Sequence, residues 1–349
     1  MKIIFYVFSL GLVFVLIGCT LPTPTTTATP NVLPTVSNTL TTTLNPTVNP
    51  DAFTFASMGD AQDGPDDFQQ VTNQIASLNP SIVIFNGDIE SEGVTDSEMD
   101  PMIAVLKKSG IFNKTFLVRG NHDNRVSGSA SLWETKFSTP SNIKVLPDGV
   151  SNYAAIDNNS NYLSYSFVYG NSLFIGLDVP GNVDLLTSDE LTFLDARLTF
   201  AESIGLVHAF IFWHGPGYCV ESQYCECTAK LDGSCTPATF IDIVNKHPVV
   251  SATFHGHEHI FGWVHVDNNR VPNLIHPYEE FLTSPAGGYL SYVPYILPNR
   301  IDYYYPLGTD AKDMGFGTLA VNGNSFTFNI YKVGTDAPVW SKTFTKGSQ

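Results

Sequence analysis

Five short apolar runs in this chain each end in an oxygen- or nitrogen-donor side chain, and that ordered series constrains the fold more than any bulk property. Ala52–Ser57 gives way to Gly59-Asp60-Ala61-Gln62, Ser81–Asn86 to Gly87-Asp88, and Thr115–Val118 to Gly120-Asn121-His122-Asp123. Val207–Trp213 runs into His214, and Val249–Phe254 into His255-Gly256-His257-Glu258-His259. Each run has the length of a buried strand. Between the first two, Phe68, Val71, Ile75 and Leu78 fall at near-helical spacing, and Pro80 ends the helix. Met102, Val105 and Leu106 mark a second helix before Gly110. Strand, helix, strand, helix, strand predicts an α/β chain. In open α/β sheets, ligands bind beyond the carboxyl ends of the strands. Five such ends therefore deliver Asp, Asp, Asn, His and a His-x-His pair to one edge.

The remaining folded part reads as more strands and one further helix. Leu163–Tyr169 and Ser172–Leu177 pair across Gly170-Asn171, residues that tolerate the positive φ of a tight hairpin. Ser188–Leu198 is helical, and the last 35 residues alternate as hairpins with Asn322-Gly323 as a turn signal. Taken singly, the donors have ordinary explanations. Gly-Asp favours turns, Asn-His-Asp suits an Asx-type turn, and a lone His214 can be a satisfied core histidine. Taken together they are hard oxygens and imidazoles without a cysteine, a set that suits Zn, Mn or Fe. His257 and His259, two apart, point the same way along an extended chain. Two carboxylates, an amide and three imidazoles exceed the four ligands of one tetrahedral ion, so two ions are the natural count.

The ordered series resembles the calcineurin-like metallophosphoesterase superfamily, with a β-rich tail similar to its purple acid phosphatase-like branch. The family pattern is Gly-Asp-x-His, Gly-Asp, Gly-Asn-His-Asp/Glu, a His, then Gly-His-x-His. Here it is met by Gly59-Asp60, Gly87-Asp88, Gly120–Asp123, His214 and Gly256–His259. The resemblance implies a four-layer α-β-β-α sandwich of two mixed β-sheets flanked by helices. It implies one ion on Asp60, Asp88 and His259, and a second on Asp88, Asn121, His214 and His257, with Asp88 bridging. It implies hydrolysis of phosphate mono- or diesters by a metal-bound hydroxide. His122 is expected over the leaving group as a general acid, with Asp123 as its catalytic partner. Gln62 stands where the family usually has His, and its amide oxygen is an expected substitute ligand on the first ion. The competing reading is a non-catalytic metal-binding cell-surface module whose first site has failed through Gln62. Ser91 stands where purple acid phosphatases place a Tyr. Asp178 is similar to a family position that does not ligate metal.

Before this region lies a different kind of chain. Lys2, an apolar run from Ile3 to Gly18, and Cys19 describe an export signal over residues 1–18. Leu16-Ile17-Gly18-Cys19 resembles a bacterial lipobox, which implies lipidation at Cys19 and an extracytoplasmic protein anchored to a bacterial membrane. Residues 19–50 form a Thr/Pro-rich linker, uncharged and without periodicity, ahead of a folded domain over residues 51–349. Asp and Glu outnumber Lys and Arg by 33 to 17, a net charge of −16, so no nucleic-acid-binding surface is expected. The expected partners are a small phosphate-ester substrate and, through the lipid, a membrane. Cys219, Cys225, Cys227 and Cys235 follow His214 in one segment. Outside the cytoplasm they read as two disulfides, 219–225 with 227–235 or 219–227 with 225–235, with a structural Zn site as the rival. Tyr278, Tyr289, Tyr292, Tyr295, Tyr303, Tyr304 and Tyr305 offer flat faces for a ligand, but packing over a sheet is the simpler role. His208, His247, His265 and His276 lack a motif context and read as structural.

Overall fold

The computed structural model describes residues 51–62, 64–137, 146–156, 163–178, 186–218, 238–288, 301–305 and 314–346. The expected signal and linker segments, Cys19, the four cysteines from Cys219 to Cys235, and Tyr289, Tyr292 and Tyr295 lie outside them.

β1 (Ala52–Met58) leads through α1 (Pro65–Leu78) to β2 (Ile82–Phe85), then α2 (Asp96–Lys108), a 3-10 turn (Phe112–Lys114) and β3 (Thr115–Leu117). Next come α3 (Ser129–Lys136), β4 (Val150–Ala155), β5 (Tyr165–Tyr169), β6 (Ser172–Gly176) and α4 (Ser188–Ser203). β7 (His208–Phe212), α5 (Ala238–Lys246) and β8 (Val250–His255) follow, then β9 (Phe261–Val266), β10 (Tyr278–Thr283) and β11 (Tyr303–Tyr305). β12 (Gly315–Asn322), β13 (Ser325–Lys332) and β14 (Trp340–Thr345) close the chain.

The helices begin and end where local chemistry says they should. α1 has Pro65 in its first turn, followed by Asp66 and Asp67 against the positive end of the dipole. It stops at Asn79 in the left-handed region, just before Pro80. α4 opens on a full capping box, Thr187 and Glu190 satisfying each other's backbone amides. α2 starts at Asp96, earlier than the stripe from Met102 suggests, and carries Pro101 inside it.

One sheet has the order β14-β13-β12-β1-β2-β3, the other β11-β9-β10-β8-β7-β6-β5-β4. The pairs β1–β2, β2–β3, β6–β7, β7–β8 and β8–β10 are parallel and the rest antiparallel, so both sheets are mixed. Side-chain alternation sorts the core into three layers. Ile82 and Ile84 of β2 face the other sheet, while Val83 and Phe85 face the helices. In β7, Phe210 and Phe212 face inward, and Ala209 and Ile211 lie beneath α4 and α5. The middle layer is built from aromatics: Phe116 stacks on Phe167 at 3.9 Å, Phe281 on Phe328 at 4.0 Å, and Phe55 meets Phe174 edge-on at 5.0 Å. Helices, sheet, sheet, helices is the α-β-β-α arrangement expected. The β12–β13 turn is Gly323-Asn324, one residue later than the Asn322-Gly323 signal, because Asn322 pairs with Ser325.

Candidate active site

Parallel strands of both sheets end on the same side, and the expected donors stand just beyond them. Their backbones are held in an uncommon conformation. Among the described residues, eight non-glycine residues have positive φ. Three are Asn, which tolerates it; the other five are Asp60, Gln62, Asp88, His257 and His259. Such strain persists only where the surroundings impose it, and it concentrates at functional sites. Here the imposing contacts are backbone hydrogen bonds between loops: Asp60 N to Gly87 O (2.9 Å), Ala61 N to Asp88 O (2.9 Å) and Gly256 N to His214 O (3.0 Å). Two glycines make room. A Cβ at Gly120 would collide with the Asp88 carboxylate, and one at Gly256 with that of Asp60.

The donor atoms converge. One ligand atom each from Asp60, Asp88 and His214 lie within 4.8 Å of one another, all three residues buried. His214 Nδ1 faces the carbonyl of Asn86 at 2.8 Å, so that nitrogen carries the hydrogen and Nε2 is turned into the site. Nε2 lies 2.9 Å from Asn121 Oδ1, 3.2 Å from Asp88 Oδ2 and 3.2 Å from His257 Nδ1. His257 Nδ1 is in turn 3.1 Å from Asn121 Oδ1. Ligand bonds of about 2.0–2.1 Å place tetrahedral ligands about 3.3 Å apart, and these four separations are of that size. Beside them, His259 Nε2 is 3.2 Å from Asp60 Oδ1, and both Asp60 oxygens accept the His257 amide at 2.9 and 3.1 Å.

Electrostatics agree with a cation at this place. Burial alone would raise the Asp88 carboxyl, yet His214, His122 and His257 hold it well below the usual range. Burial would lower His214, but the Asp88 charge and hydrogen bond push it up to about 10. A proton on Nε2 thus satisfies the carboxylate when no metal does so.

The other expected residues divide. Gln62 is buried and its amide NH2 donates to Asp88 Oδ2 at 3.0 Å, so it reaches the shared carboxylate. The His122 amide donates to Asp88 Oδ1 at 2.9 Å, and its ring Nε2 stands 3.9 Å from Asp88 Oδ2. Its Nδ1 faces the Ser91 carbonyl at 2.6 Å. Asp123 is a correction. Instead of pairing with His122, its carboxylate accepts the amides of Asp88 and Gly120 (2.8 Å each), Ile89 (3.1 Å) and Glu90 (3.2 Å). It clasps two site loops together. Burial and the Asp88 charge push its carboxyl upward, and the amide donors oppose that shift.

Several residues missed in the sequence support the site. Arg119 is buried and makes a two-pronged pair with Asp178 at 2.6 and 2.9 Å, joining the end of β3 to the end of β6. Glu280, fully buried, accepts the Tyr218 amide below the segment that follows His214. Burial pushes its carboxyl up to about 8. Arg125 Nη2 lies 3.1 Å from His122 Nε2; a basic residue two positions beyond the motif of an acidic chain was a readable signal. His208, His247 and His265 bond to other partners away from the site. Tyr278 is buried and Tyr303 stacks on Trp340 at 4.4 Å, as packing residues do.

The profile of the calcineurin-like phosphoesterase family matches residues 53–261. The chain belongs to this family. Three solved structures share the fold. PhoD superposes with a TM-score of 0.60 at 14% identity, covering 85% of this chain and 70% of its own. A purple acid phosphatase from yellow lupin seeds gives 0.60 at 16% identity; 84% of this chain matches 54% of the lupin chain, so this chain spans about half of it. A dimetal phosphatase from Danio rerio gives 0.52 at 14% identity, covering 84% of this chain and 99% of its own. No curated protein shows significant sequence similarity to the chain.

Proposed function

We propose that this protein is a metal-dependent phosphoesterase that hydrolyses phosphate mono- or diesters at a two-ion site, and that it works outside the cytoplasm on a lipid carried by Cys19. The observation that carries this reading is the convergence of Asp60, Asp88, Asn121, His214, His257 and His259 beyond the strand ends, on loops strained to bring them there. When bound, two ions supply an activated water and positive charge for the phosphoryl oxygens. Asn121, His214 and His257 would hold one, Asp60 and His259 the other, with Asp88 shared between them.

The chain's own part is orientation and proton handling. Asp88 keeps both oxygens engaged, Oδ1 on the His122 amide and Oδ2 on Gln62, which fixes the plane of the shared carboxylate. Hydrogen bonding of Nδ1 to Ser91 fixes the His122 ring with Nε2 3.9 Å from Asp88 Oδ2, where the protonated ring can give a proton to a departing oxygen. The strongly acidic chain offers little to a polyanion by itself, so the substrate's phosphate is met by the ions rather than by a basic surface.

One observation favours a second reading, the non-catalytic metal-binding module: Gln62 turns its NH2, not its oxygen, to Asp88. Full-length protein, purified in detergent, separates the two. Phenyl phosphate and bis(p-nitrophenyl) phosphate are offered with Mn²⁺ or Zn²⁺, and bound metal is counted, beside Asp88→Ala. Metal-dependent turnover that disappears in the variant supports the phosphoesterase. Metal bound at the wild-type site without turnover of either ester supports the module. Cys19→Ser should release the protein from membranes.

A further inference from the structure

A guanidinium stands at the Nε2 edge of His122. Arg125 follows three residues later in the same turn, its amide donating to the His122 carbonyl at 3.2 Å. Its Nη2 lies 3.1 Å from His122 Nε2, and its Nη1 donates to the Ser91 carbonyl at 2.7 Å. That carbonyl also receives His122 Nδ1, so Nδ1 carries the hydrogen and Nε2 offers a lone pair to Arg125. Moving outward from the site, the order is Asp88, His122, Arg125.

This order matters for a leaving group. A leaving group brought to His122 Nε2 stands beside the Arg125 guanidinium, 3.1 Å from that nitrogen, and the donors of Arg125 then face the polar groups it carries. Arg125 is free to serve them. Its side chain is 42% exposed, and its carboxylate neighbour Glu92 is 3.6 Å away and 75% exposed, a solvated and replaceable contact. Arg119, by contrast, is buried and committed to Asp178. A guanidinium presents paired donors in one plane, which match a carboxylate or phosphate bidentately.

We infer that Arg125 recognises a second anionic group on the leaving-group side of the scissile ester. The preferred substrates are then phosphoesters whose leaving group carries its own carboxylate or phosphate. The inference rests on the phosphoesterase reading above and deepens it.

The test compares phenyl phosphate with 3-carboxyphenyl phosphate, using full-length protein and Mn²⁺. Wild type, Arg125→Ala, Arg125→Lys and Glu92→Gln are assayed, with thermal melting to confirm that each folds. Arg125→Ala should lose about tenfold more kcat/KM on the carboxylated ester than on the plain one, mainly through KM, since a charge-assisted bond is lost only there. Arg125→Lys should recover part of that difference, and Glu92→Gln should lower KM for the carboxylated ester. An equal loss on both esters would overturn the inference, because Arg125 would then act only through His122 or the transferred phosphoryl group. No loss on either would make it an ordinary surface residue. Failure of wild type to turn over either ester with Mn²⁺ bound would instead overturn the phosphoesterase reading, and this inference with it.

Discussion

Asp123→Asn tests the clasp directly, because it keeps the side chain's shape while removing half of its acceptors. In the native site one carboxylate oxygen accepts Asp88 N and Gly120 N, and the other accepts Ile89 N and Glu90 N. Whichever edge becomes NH2, two buried amides face a donor instead of an acceptor. A buried group left unsatisfied costs about 1–3 kcal/mol, so the substitution should cost about 2–6 kcal/mol. That is a large share of the roughly 5–15 kcal/mol that holds a domain together. At about 2–4 °C per kcal/mol for a large domain, Tm should fall by about 4–24 °C. The assay is urea unfolding followed by tryptophan fluorescence, with bound metal and kcat measured on the same preparations. The clasp predicts lowered stability together with weakened metal, because Asp88 and Asn121 sit on the two loops it joins. A stability within about 0.5 kcal/mol of wild type, with kcat lost, would refute it and restore Asp123 as a partner of His122.

Three further outcomes are expected. His122→Ala should keep its metal and lose about 10²-fold or more of kcat on a poor leaving group, as loss of a general acid does; metal analysis and steady-state kinetics check it. A metal at His214 Nε2 must displace the proton that Asp88 stabilises there, so apparent affinity should rise about tenfold per pH unit between about pH 7 and 9, read by competition with a chelator. Because that folded value, about 10, lies above the ordinary one, the His214 contribution to metal-free stability is complete below about pH 6.5 and is lost as pH rises through about 10. Phe55→Ala, which empties the centre of the aromatic layer between the sheets, should cost about 3–5 kcal/mol in urea unfolding.

The legible parts of this protein are those in which chemistry and periodicity coincide. Each ligand follows an apolar run directly, so the strand ends of β1, β2, β3, β7 and β8 were readable, and so was the edge they share. β10 was not, because its Tyr-Glu-Glu-Phe core looks like surface. Its two glutamates are buried only because distant groups satisfy them: Trp263 Nε1 and His265 bond Glu279, and the Tyr218 amide bonds Glu280. Asp123 shows the limit in the opposite direction. Adjacency to His122 suggested a shared task, but the tight turn sends the two side chains apart, one to the site and one to four amides beneath it. No periodicity reports that divergence; it depends on the φ values at Gly87 and Asp88 that bring those amides together.

Gln62 carries the same lesson to the question of activity. At the sequence level it is a lost histidine, and a lost ligand suggests a failing first site. Its place in the structure gives it a role other than that of a ligand. The residue is buried, held at φ 28°, and aimed at Asp88 Oδ2. A non-glycine residue at positive φ costs of the order of 1–3 kcal/mol, a cost the fold must offset elsewhere. Part of the offset is visible in the Gln62 amide's bond to Asp88 O and in the side-chain bond to the carboxylate of the same residue. Gln62 therefore grips Asp88 at two points. A neutral amide can orient that carboxylate without competing for its charge, which leaves the charge of Asp88 for cations that Asn121, His214, His257 and His259 would hold.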